Sequence, residues 1–317
     1  MKDDHAQGSH HASSYHVPVL FYETIEALQV KPGGVYVDCT FGGGGHSRGI
    51  LDKLGLDGKL VAFDQDADAV KNIPADDRVV FVPNNFRHLQ RFLRVNGFRE
   101  VDGVLADLGV SSHQFDEGSR GFSTRFEGPL DMRMDQRQEN TASDILKKYT
   151  EQQLHKLFEH YGEVTNSKTL AKQVVQQRNN TPLKTIAHLK AMISPVVKGN
   201  PNKYLAQVFQ ALRIEVNDEM GSLKEMLEQI PAVLKPGGRA AIITFHSLED
   251  RLVKNFFRNG TFDEQDENPL SPEERKNDLK IITKKPIIAG AEEVKRNPRS
   301  RSAKLRVAEK KMDSSKN

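Results

Sequence analysis

The run Asp38-Cys39-Thr40-Phe41-Gly42-Gly43-Gly44-Gly45-His46 constrains this chain more than any other feature. Residues 35–40 are apolar enough for a buried strand, and residues 46–54 read as a helix stopped by Gly55. Four glycines between a strand and a helix let the backbone turn sharply and let a ligand come close to it. The first amides of the helix then face that ligand. Residues 59–64 form a second short strand, and Asp64 at its end falls 19 residues after Gly45. In a doubly wound sheet such a carboxylate lies beside the first loop, where it can accept both hydroxyls of a ribose. The pattern predicts a site for a nucleoside-containing cofactor.

The alternation continues. Residues 66–73 and 86–96 read as helices, and residues 78–82 and 101–110 as strands. Short, near-continuous apolar strands separated by helices predict a parallel sheet covered on both faces, an α/β doubly wound fold. At about residue 111 the rhythm changes. Leu154, Leu157, Phe158 and Tyr161 repeat at helical spacing, as do Leu205, Val208, Phe209 and Leu212. A helix over 216–234 then stops at Lys235-Pro236-Gly237-Gly238, and a strand over 239–245 resumes the sheet, with later strands at 280–284 and 304–308. The expected organisation is an α/β domain built from residues 15–114 and 216–311. A helical substrate-recognition domain over 115–215 interrupts it. Residues 1–14 read as disordered, 259–279 as a polar loop and 312–317 as a tail.

Composition narrows the class. The single cysteine, Cys39, excludes an intrachain disulfide and a cysteine-cluster zinc site, and no metal site is expected. No apolar run approaches the ~18 residues of a membrane span, and the N-terminus lacks signal-peptide order, so a cytoplasmic location is expected. The net charge of +3 hides an asymmetry, because residues 271–317 hold 14 Lys/Arg against seven Asp/Glu. Lys295, Arg296, Arg299, Arg301, Lys304 and Arg306 lie in one stretch without an acid, the expected contact for a polyanion such as RNA. A solvated tail is the competing reading.

The glycine spacing also selects among nucleosides. No glycine trio falls at i, i+2 and i+5, which disfavours a dinucleotide, and no phosphate-binding G-x-x-x-x-G-K-[ST] run occurs. A glycine-rich turn plus Asp64 without a pyrophosphate pattern suits S-adenosylmethionine. Asp107 ends the fourth strand, at the rim where doubly wound sheets place their chemistry. It is the candidate catalytic acceptor; capping of the next turn is the competing role. Of the histidines, His113 and His246 could face a substrate or hold their turns. Ser247, His246 and Asp250 are too crowded for a hydrolase triad. Met132 and Met134 read as core.

These motifs form a recognisable series. With Asp107-Leu108-Gly109-Val110-Ser111-Ser112-His113-Gln114, Arg120-Gly121-Phe122-Ser123, Ala211-Leu212-Arg213-Ile214-Glu215, Phe245-His246-Ser247-Leu248-Glu249-Asp250-Arg251 and Asn297-Pro298-Arg299-Ser300-Arg301-Ser302, the chain resembles the ribosomal RNA small subunit methyltransferase H family over residues 15–311. The resemblance implies a class I (Rossmann-like) methyltransferase fold with a helical insertion. It also implies methyl transfer from S-adenosylmethionine to N4 of a cytidine in the decoding region of small-subunit (16S) ribosomal RNA, free or in a ribosomal subunit. Self-association is left open. Carried over by position, it sets the cofactor against Gly44, Gly45 and His46, with Asp64 on the ribose, Phe86 near the adenine, and Asp107 and Gln114 completing the pocket. One departure stands out from amino-methyltransferases acting on DNA. Asp107-Leu108-Gly109-Val110 lacks their proline pair and the aromatic that stacks the base. A DNA or protein methyltransferase, and a non-catalytic RNA-binding factor, are the competing functions.

Overall fold

The computed structural model describes residues 17–263 and 277–312. The segment expected to be disordered (1–14), most of the expected polar loop and all but the first residue of the tail lie outside them.

The chain opens with α1 (Phe21–Leu28), β1 (Val35–Asp38), α2 (Gly45–Leu51), β2 (Lys59–Phe63), β3 (Val79–Val82), α3 (Leu89–Val95) and β4 (Val101–Asp107). Then come α4 (Ser112–Asp116), α5 (Ala142–Lys148), α6 (Glu151–His160), α7 (Ser167–Gln177), α8 (Ile186–Ile193), α9 (Pro201–Asn217) and α10 (Glu219–Val233). The last elements are β5 (Leu234–Thr244), α11 (Ser247–Asn259), β6 (Leu279–Ile281), β7 (Ile287–Ile288), α12 (Ala291–Arg296) and β8 (Lys304–Lys310). The sheet runs β3-β2-β1-β4-β5-β8-β6, with β7 also on β8. β1 to β5 are mutually parallel, and β8 returns antiparallel to β5, β6 and β7. Strand order reverses between β1 and β4, so a crevice opens beyond their carboxyl ends.

The strands read as unbroken apolar runs because both sheet faces are covered. Val104, Ala106, Ala240 and Ile242 pack with α10 and α11, while their neighbours Leu105, Ala241 and Ile243 pack with α1 and α2. The α/β doubly wound class is confirmed. A separate core sits in the helical region, where Leu154, Leu157, Phe158, Leu170, Val208, Phe209 and Leu212 bury together. The two amphipathic stripes expected from sequence face this core, with Tyr161 and Leu205 at its margin.

Three elements depart from expectation. Residues 66–73 form a short 3-10 turn, Ala67–Asn72, not an α-helix. The helix expected over 216–234 begins three residues later, at Glu219, because α9 runs on to Asn217 and Asp218 adopts a left-handed φ of 45° between the two helices. The Gly/Pro stop at 235–238 lies inside β5 as a bulge, because Leu234 already pairs with Val101 before Arg239 pairs with Gly103. Gly238 is confined there, since a Cβ would come within 2.9 Å of the Lys235 carbonyl and 3.0 Å of the Asp102 carbonyl.

Candidate active site

A cavity of about 810 Å³ occupies the crevice. Its floor is the first loop. Buried Asp38 ends β1 and accepts from Thr40 N at 3.0 Å and Ser47 Oγ at 2.7 Å, which ties the loop to α2. Gly42 and Gly44 adopt φ of 50° and 73°, conformations in which a side chain is strained. Gly42 and Gly45 line the cavity. Gly44 does not, and serves as the left-handed residue opening α2 with the Phe41 ring behind it.

Asp64 faces the cavity from the end of β2. One oxygen accepts from Gly42 N at 2.7 Å and the other from Asp66 N at 2.8 Å. Each oxygen keeps lone pairs for hydroxyl donors. Burial pushes this carboxyl up to about 6, against the lowering effect of those amides. Phe86 lines the cavity beyond β3. Gln114 caps α4 with Ser111 and donates to Asp66 at 2.7 Å. Buried Arg120 binds Asp66 at 2.8 Å and the carbonyls of Arg133 and Met134 at 3.0 Å, strapping the segment after α4 to the sheet.

Asp107 sits at the carboxyl end of β4. Its Oδ1 is buried without a hydrogen-bond partner, and its Oδ2 lies 3.6 Å from His46 Nδ1. Burial, then the negative charges of Asp38 and Glu249, push Asp107 up to about 8. Burial holds His46 down to about 4. The two groups that sequence places in one pocket therefore have displaced titrations, in opposite directions.

The neighbouring strand end completes the wall. Glu249 is fully buried on α11, where one oxygen accepts from Phe245 N at 2.8 Å and the other lies 3.1 Å from His246 Nε2. Burial alone would raise Glu249, but His246 and Arg213 hold it below the usual range. Arg213 of α9 clasps both oxygens of Glu219, at 2.7 and 2.9 Å. Glu219, His246 and Glu249 bring ligand-type atoms within 4.8 Å of one another, but the Arg213 cation already holds Glu219. Phe245 also lines the cavity, with its ring 3.8 Å from the position of a Cβ on Gly109. An aromatic ring, absent along the chain after Asp107, thus stands beside Gly109 from the residue that follows β5.

The MraW methylase family profile matches residues 13–311. The chain belongs to this family. Similar proteins named ribosomal RNA small subunit methyltransferase H include one from Parabacteroides distasonis, 55% identical over 94% of this chain and 98% of its own length. One from Flavobacterium johnsoniae is 51% identical over 93% and 98%. An rRNA methylase structure from Streptococcus thermophilus aligns over 91% of this chain and 92% of its own, at 12% identity and a TM-score of 0.38, too loose to argue from.

As a methylase the chain uses S-adenosylmethionine, and the residues present suit it. Loop amides at the α2 N-terminus, an acidic group with free lone pairs and an aromatic side wall converge on one cavity, together with Gly45, His46, Asp64, Phe86, Asp107 and Gln114.

The basic stretch fares differently. Lys295 and Arg296 are exposed on α12, and Arg301 is exposed beyond it. Arg299 turns into the cavity wall, donating to Ser112 Oγ at 3.0 Å with its guanidinium 4.3 Å from the Phe115 ring centroid. Arg306 does not face solvent: it is 9% exposed and bound to Asp250 at 2.6 Å, and Lys304 shares that carboxylate at 3.1 Å. The six cations do not form one surface, because alternate residues of β8 point into the sheet stack.

Proposed function

We propose that this chain methylates N4 of a cytidine in the decoding region of small-subunit ribosomal RNA, acting in the cytoplasm on the RNA or on a ribosomal subunit. The observation that carries the reading is the unpartnered Asp107 Oδ1, buried at the rim of a cavity that Phe245 also lines. Cytosine N4 is a poor nucleophile because its lone pair is delocalised into the ring. An acceptor for its N–H localises that pair, and a stacked wall fixes its direction of approach. Asp107 is that acceptor and Phe245 that wall.

S-adenosylmethionine supplies an electrophilic methyl whose bond to sulfur breaks, leaving the electron pair on sulfur, as N4 bonds to the carbon. The chain's own groups do the rest. Asp64 receives the ribose hydroxyls, Phe86 flanks the adenine, and Gln114 holds the α4 turn against Asp66. Asp107 takes the proton that the methylated amine sheds. His46 stays neutral, held by the Val19 carbonyl.

The helical region over 115–215 clamps the RNA, and a target base in folded RNA enters by leaving its stack. Exposed Lys295, Arg296 and Arg301, with Arg299 at the rim, contact phosphates near the cavity. The test is to offer labelled S-adenosylmethionine to separate small-subunit, DNA and protein fractions. Label in RNA alone is expected, and label in DNA or protein alone would overturn the reading.

A further inference from the structure

A second cleft of about 290 Å³ lies away from the cavity, between α11 and the turn joining β6 to β7. Lys254 and Arg258 of α11 enter it from one side, and Lys284 and Lys285 of the turn from the other. All four are exposed, and among the described residues none has an ion pair or a side-chain hydrogen bond. The fifth cation there, Arg306, is already neutralised by Asp250. Four free positive charges from two chain segments thus face one trough whose floor includes Phe257 and Ile281. Exposed cations cost little when apart; bringing them together is unfavourable unless a polyanion lies between them.

The cleft and the cavity both draw lining residues from α11. Glu249 lines the cavity and Arg258 the cleft, nine residues apart on α11, about 13 Å at ~1.5 Å per residue.

We infer that Lys254, Arg258, Lys284 and Lys285 form a phosphate-binding groove for the RNA strand that flanks the base in the cavity. The inference rests on the RNA reading above. It places the main sequence-independent grip on α11 and the β6–β7 turn rather than along residues 295–306.

The test uses the full chain with Lys254→Ala, Arg258→Ala, Lys284→Ala and Lys285→Ala combined, and a charge-keeping control with Lys254→Arg and Arg258→Lys. The probe is a labelled single-stranded RNA of decoding-region sequence, titrated over a range of KCl. Four lost contacts to single-stranded phosphates should reduce the slope of log affinity against log salt by about 3. Affinity should fall at least tenfold at low salt, while S-adenosylmethionine affinity and methyl transfer at saturating RNA stay unchanged; the control should bind like the parent. RNA methylation by the parent with an unchanged slope in the neutralised variant overturns the groove alone. A groove-dependent slope without methyl transfer by the parent upholds the groove and overturns the catalytic reading. Loss of binding to anionic vesicles with RNA binding intact also overturns it, assigning the face to a membrane.

Discussion

Asp107 Oδ2 lies 3.6 Å from Nδ1 of His46, whose other nitrogen sits 3.1 Å from the Val19 carbonyl. A carbonyl only accepts, so Nε2 carries the imidazole proton and Nδ1 turns a lone pair toward Asp107. With His46 held down to about 4 and Asp107 pushed up to about 8, the pair is uncharged at neutral pH and Asp107 carries its proton. Asp107 can therefore take the proton from N4 only once it has ionised.

This sets a pH profile. Asp107 is neutral below about 8 and ionised above it, so kcat/KM should rise about tenfold per unit as pH approaches about 8 and then level off. Binding of the cationic cofactor favours the carboxylate, so the limb in kcat should lie at lower pH than the limb in kcat/KM for the cofactor. Asp107→Asn should abolish the limb and lower kcat at least a hundredfold, a typical size for a lost proton acceptor. Stopped-time assays between pH 6 and 9.5 check this.

Asp64 governs the cofactor instead. Its pKa is raised to about 6, so the carboxylate that accepts hydroxyls is present above that pH and lost below it. S-adenosylmethionine affinity should weaken as pH falls through about 6. Asp64→Ala should weaken it about ten- to a hundredfold, from a charged hydrogen bond of roughly 1.5–3 kcal/mol. Titration calorimetry at pH 5 and pH 8 measures both effects.

Much of this site was legible because it is local. Gly42 to His46 and Asp64 are turn chemistry written in adjacent residues, and β1 and β2 are hydrogen-bonded neighbours. Phe245 was not legible, because it reaches Gly109 only through the pairing of β4 with β5, across the whole helical region. Glu249, Arg213 and Glu219 meet for the same reason, from α11, α9 and α10. Arg306 was misread because a count of cations along the chain does not register Asp250, which lies far away in sequence. The boundary before α10 was placed a few residues early, because the single left-handed residue Asp218 leaves no trace in helical periodicity.

Phe245 should act on RNA and not on the cofactor. Base stacking on an aromatic contributes roughly 1–3 kcal/mol. Phe245→Ala should raise the KM for RNA about tenfold or more with cofactor affinity unchanged, and Phe245→Tyr should restore most of the loss. Steady-state kinetics with RNA as the varied substrate separates these outcomes.

Arg120 should matter for stability before activity. It is 4% exposed and bridges Asp66, Asp68 and two backbone carbonyls. Truncation leaves buried Asp66 with only Gln114 as a side-chain partner, a change of about 3–5 kcal/mol for a broken buried pair. Arg120→Ala should lower the denaturant midpoint by that measure, with exchange of the backbone amides over 118–135 rising first.

The most direct measurement is nucleoside analysis of small-subunit RNA treated with the chain and isotopically labelled S-adenosylmethionine, using chromatography that separates methylcytidine isomers. The label should appear as N4-methylcytidine in a decoding-region fragment. Label on C5 or on a ribose 2′-oxygen would contradict Asp107 as the acceptor of an amine proton.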